Sequence, residues 1–119
     1  MEVRHGYPLE DWSQAKEEMQ QVLIEVARLM KTICYGDLVK RIRTIQFHRM
    51  SKKLTYMLDE ISSAKDGRGM LDALVVTQEK KRPGKGWLPA AGKRGCDISD
   101  PEKCWVIERD KVYAYWSNH

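Results

Sequence analysis

An α+β fold is what the sequence predicts, from three observations. Two helical patterns, residues 35–42 and 51–64, follow one another and lead into the apolar run Leu71-Asp72-Ala73-Leu74-Val75-Val76. A basic loop comes next, Lys80-Lys81-Arg82-Pro83-Gly84-Lys85-Gly86, with Trp87 and Leu88 beyond it as a second strand. Upstream, residues 9–31 carry apolar side chains at three- and four-residue steps. Helix, helix, strand, basic loop, strand is the order of a winged helix-turn-helix. The expectation is therefore three N-terminal helices, a short β-hairpin wing and a C-terminal helix, all in one domain over residues 1–119.

Taken in order, residues 1–8 read as an arm or extended lead-in. Pro8, Glu10 and Asp11 suit the start of the first helix, since proline is tolerated in a first turn and acids favour the positive end of the helix dipole. Trp12, Ala15, Met19, Val22, Leu23, Val26 and Met30 form its inward stripe. Thr32-Ile33-Cys34-Tyr35 is rich in β-formers and reads as a brief strand. Gly36-Asp37 opens the second helix, with Leu38, Val39 and Ile42 facing in. In the loop 43–50, Ile45 and Phe47 plug the core, while His48 and Arg49 face out.

Ser51 is the N-cap expected for the third helix, whose buried stripe is Leu54, Met57, Leu58 and Ile61. Gly67-Arg68-Gly69 ends it. Residues 71–77 read as a mostly buried strand, 79–85 as the turn, and Gly86-Trp87-Leu88 as its antiparallel return. Pro89 to Gly92 reads as one helical turn. Ser99-Asp100-Pro101-Glu102 starts the last helix, which runs to about Trp116. A hairpin of 104–108 against 112–116 is the alternative, because those flanks are rich in β-formers. The four tryptophans are expected to seal the core.

Charge placement points to a partner class. The net charge is only +4, yet no acid occurs from Leu38 to Leu58, a window holding Lys40, Arg41, Arg43, Arg49, Lys52 and Lys53. A second window holds Lys80, Lys81, Arg82, Lys85, Lys93 and Arg94, so 12 of the 21 Lys and Arg residues sit in two short stretches. Local basicity of this kind is what a phosphate backbone attracts. In a helix-turn-helix the second helix presents its N-terminal residues to the bases. Here those are Lys52, Lys53, Thr55 and Tyr56, with Lys40, Arg41, Arg43 and Arg49 and the wing residues Lys80, Lys81, Arg82 and Lys85 left for phosphates.

Other chemistry finds little support. Gly67-Arg68-Gly69 follows a helix and not a strand, and Gly84-Lys85-Gly86 lacks the spacing of a phosphate-binding loop. No Ser or Cys stands beside a His, and the carboxylates are scattered. Three cysteines in a chain with no apparent secretion signal are expected to be free thiols. Cys96 and Cys104 are the nearest pair, and no metal site is expected from their spacing. No apolar run approaches the roughly 20 residues of a membrane span, and a cytoplasmic location is the expectation.

Thr32-Ile33-Cys34-Tyr35-Gly36-Asp37-Leu38 resembles the Thr-x-x-Tyr-Gly-Asp/Glu-Leu start of the DNA-binding half of the alkylguanine-DNA alkyltransferases and alkyltransferase-like proteins. The resemblance covers about half the chain and implies a winged-helix-like fold with a DNA-facing surface. Those enzymes carry Pro-Cys-His-Arg leading into the following strand, where this chain has Met70-Leu71-Asp72-Ala73. Alkyl transfer is therefore not implied.

The functional expectation is a small, non-catalytic protein binding double-stranded DNA without a cofactor, as a monomer or homodimer. A protein-interaction module or accessory subunit on the same fold is the alternative. Two basic windows forming one face would favour DNA; an exposed apolar patch around Tyr113, Tyr115 and Trp116 would favour a protein partner.

Overall fold

The computed structural model describes residues 2–64 and 67–119; Met1 of the expected lead-in lies outside them. The lead-in is a small antiparallel hairpin, β1 (Val3–Arg4) and β2 (Tyr7–Pro8). It runs straight into α1 (Leu9–Arg28), which buries Trp12, Ala15, Met19, Val22, Leu23 and Val26. This helix stops three residues short of the sequence expectation. Met30 adopts a left-handed φ of 54°. Its N–H then donates to the Ala27 carbonyl and that of Lys31 to Val26. That is a Schellman ending with methionine where glycine is usual.

A short connection leads to β3 (Ile33–Cys34) and at once to α2 (Tyr35–Lys40). Residues 41–51 then bring Ile42, Ile45 and Phe47 into the core. The connection is far longer than the three to four residues of a tight helix-turn-helix. α3 (Lys52–Ser62) starts where expected, with the Ser51 hydroxyl accepting from the Lys53 N–H at 3.2 Å. Its buried stripe is the expected Leu54, Met57, Leu58 and Ile61. Beyond it, Gly69 has a φ of 83°, and a Cβ there would sit 2.9 Å from Val112 Cγ2, so glycine is required where the chain crosses the C-terminal helix.

The expected wing is not formed. Residues Leu71–Leu74 make a 3-10 turn, and only Val75–Val76 is strand, β4. Its partner is β3, paired parallel with Ile33 against Val75 and Cys34 against Val76. The supposed return strand is instead the first turn of α4 (Trp87–Lys93). What remains of the wing is a tight turn, closed by Thr77 N–H to the Arg82 carbonyl at 2.8 Å and Lys81 N–H to the Thr77 carbonyl at 3.0 Å. Asp72 explains the departure. Buried in the run that reads as strand, its carboxylate needs donors, and a helical 87–93 segment supplies them: Trp87 Nε1 at 2.9 Å and Arg94 Nη1 at 3.0 Å.

α5 (Pro101–Ser117) resolves the helix-or-hairpin alternative in favour of helix, with Pro101 in its first turn and Asp100 Oδ1 accepting from the Lys103 N–H at 3.1 Å. The main core lies between α1, α3, α5 and the 3-10 turn; a smaller one gathers Val76, Trp87, Ala91, Cys104 and Trp105. All four tryptophans are buried. The expectation of three free thiols is corrected: Cys96 and Cys104 form a disulfide, their Cα atoms 6.4 Å apart, and Cys34 alone is free. Cysteines eight residues apart are joined because the turn after α4 folds back on the start of α5. Among the described residues no helix is long and apolar enough to cross a membrane.

Candidate nucleic-acid interface

β3 and β4, though only two residues each, decide where the basic windows meet. Their parallel pairing sets the start of α2 beside the turn that follows β4. A hydrogen bond from the Gly84 N–H to the Tyr35 hydroxyl, 3.1 Å, ties the end of that turn to α2. Burial pushes the Tyr35 hydroxyl up from its ordinary pKa, so it stays neutral. Between α2 and the turn lies a cleft of about 740 Å³. Lys40, His48 and Arg49 line it from the first window and Lys81 from the second. Arg49 lies across Gly36, with its Cδ 3.8 Å from the position of a Cβ there.

The cations in and around this cleft differ in what they already bind. Among the described residues, Lys40, Arg49, Lys52, Lys80 and Lys85 have no carboxylate within ion-pair distance. Lys81 turns its ammonium toward Cys34 Sγ, at 4.0 Å, from a left-handed backbone with φ of 56°. Asp37 and Glu79 also stand on the cleft walls. Three cations against two acids leave the lining net positive, with His48 counted neutral.

Other predicted contact residues are paired with acids or stand beside them. Arg41 binds Glu25 at 2.7 Å on the flank of α1. Arg43 borders a depression shared with Glu17 and Glu18. Arg82 makes a two-pronged pair with Glu102, 3.0 and 2.7 Å, and lies 4.3 Å over the Trp105 ring, so its charge is held against α5. Arg94, expected within the second basic cluster, is 9% exposed and spans Asp72 and Asp59. Basic residues of the same window are thus sorted by their partners.

The face of α3 expected to contact bases is partly covered. The N-terminal hairpin folds over it: Lys53 Nζ lies 4.8 Å above the Tyr7 ring, and the His5 ring packs at a tilt against Tyr56, centroids 4.8 Å apart. Glu60 anchors this cover, accepting from Trp12 Nε1 at 3.2 Å and Arg4 Nε at 3.1 Å, with Lys16 and His5 close by. These donors hold its carboxyl below the ordinary value despite partial burial. Lys52 and Thr55 remain exposed, and Tyr56 keeps 44% of its surface. The aromatic patch that would have pointed to a protein partner is not on the surface: Tyr113 and Trp116 are buried and Tyr115 half-buried.

Sequence reasoning missed the Asp72 cluster. A carboxylate inside an apolar run was the available signal. Among the described residues no group of three or more His, Cys, Asp or Glu side chains is arranged to hold a metal ion. Comparison of the chain with protein-family models, with curated proteins and with solved structures returns no match.

Proposed function

We propose that this chain binds duplex DNA along its phosphate backbone, without catalysis, through the cleft between α2 and the Thr77–Arg82 turn. The observation that carries the reading is the sorting of cations. Lys40, Arg49 and Lys81, from windows some 40 residues apart, meet in one cleft without carboxylate partners. A cation already paired must break that pair before it meets a phosphate, whereas an unpaired one displaces only the counterions of the DNA. Lys80, Lys85 and Lys52 extend the unpaired charge beyond the cleft, and Lys52 with Thr55 at the start of α3 supplies polar groups for base edges. Arg41, Arg43, Arg82, Lys53 and Tyr56 drop to a supporting role because their side chains are engaged or acid-flanked. The resemblance of residues 32–38 to the DNA-facing half of alkyltransferase-like proteins agrees with the location.

The test is fluorescence anisotropy of a random-sequence duplex at low salt. Lys40→Glu with Lys81→Glu is expected to weaken binding by about tenfold or more on every sequence. Arg41→Glu with Arg82→Glu is expected to change it little. Absence of binding by the wild type, or equal losses in the two variants, would reject the reading.

A further inference from the structure

A second pocket, of about 610 Å³, shares no lining residue with the basic cleft. Its walls come from the end of α3, the turn after α4 and α5. One side chain there has no explanation in the fold. Glu108 is 4% exposed, the most buried Glu among the described residues. Its Oε1 accepts from Lys111 Nζ at 3.0 Å, and among the described residues nothing donates to Oε2. Lys111 is itself an exposed side chain, 62% accessible. A side chain that exposed can swing away into solvent and leave the carboxylate to another cation. Arg94, the other cation of the pocket, is committed to Asp72 and Asp59. A buried carboxylate with one oxygen free and a loosely held counter-ion is a poor device for stability and a good one for a ligand.

We propose that this pocket binds a small aliphatic amine, whose ammonium group takes the place of Lys111 against Glu108. Met70, Ala114 and Tyr115 offer an apolar wall for the hydrocarbon chain. Small anions are disfavoured, because the Glu108 carboxylate lines the pocket and would repel them.

The experiment is an amide NMR titration with putrescine and with 1,4-butanediol as its uncharged analogue. Putrescine at millimolar concentration is expected to shift the Gly67, Gly69 and Gly95 amides, and the diol is not. Lys111→Ala removes the competitor and should tighten putrescine binding. Glu108→Gln keeps the shape, and should weaken binding about tenfold or more through loss of a charge-assisted hydrogen bond. Lys111→Ala, a change at an exposed side chain, keeps the test valid if the Gln variant unfolds. No shift with putrescine, equal shifts with the diol, or unchanged affinity in Lys111→Ala would each overturn the proposal.

Discussion

Lys81 and Arg82 are neighbours with opposite fates. Arg82 lies against α5, bound to Glu102, while Lys81 points its ammonium toward Cys34 and the cleft. A count of basic residues treats them alike, and only their partners separate them. Asp72 teaches the same lesson from the interior. It is 6% exposed and accepts from Trp87 and from two nitrogens of Arg94. Burial pushes its carboxyl up, and the guanidinium works against that shift. Arg94→Ala leaves that carboxylate without its counter-charge and should destabilise the fold by about 3–5 kcal/mol, read by thermal or urea unfolding. A loss below about 1 kcal/mol would contradict this account of the cluster. From sequence, Asp72 fell within an expected strand and Arg94 within a basic cluster. Neither position could disclose that the two meet, because the meeting depends on α4 starting at Trp87, where the sequence read as a returning strand.

At the scale of elements, the helices were legible wherever an apolar stripe repeated over three or more turns. α1 and α3 fall close to their expected places, and α5 follows its start signal at Ser99 to Glu102, where a hairpin had been the alternative. Among the short pieces, β3 and α2 also fall where expected, and the departures lie between Leu71 and Leu88. Leu71 to Leu74 is buried on every side, so a period-2 alternation had nothing to act on. Trp87 serves Asp72 from a helix, where a hairpin had been expected. The connection 41–51 is held instead by one acid of α1. Glu18 accepts from the Arg43 N–H at 2.7 Å, the Thr44 N–H at 3.1 Å and the Thr44 hydroxyl. The Thr44 hydroxyl, with those amides, brings its pKa from the ordinary 4.5 down to about 2. A depressed carboxyl contributes stability that is complete above its ordinary value and lost as pH falls toward the folded one. The protein is therefore expected to lose this contribution between pH 4.5 and 2. In Glu18→Gln that part of the acid dependence should be missing. NMR titration of the Glu18 carboxyl checks it directly, and a midpoint near 4.5 would contradict the role assigned to the contact.

Over the whole molecule, the α+β class and the presence of two basic windows were readable from the chain, and their relation in space was not. Two residues of β3 against two of β4 carry it, a pairing too short for any sequence pattern to reveal. The hairpin over α3 was equally hidden, since His5, Tyr7 and Glu60 become partners only through the fold. The central claim is that a few unpaired cations, gathered in one cleft and around it, bind a phosphate backbone. The dependence of the DNA association constant on salt tests it most directly. With about three to six such cations engaged, a plot of log K against log salt should have a slope of roughly −3 to −5. Each replacement among Lys40→Gln, Arg49→Gln and Lys81→Gln should make that slope shallower by about 0.9. A slope near zero, or one that these replacements leave unchanged, would contradict the account.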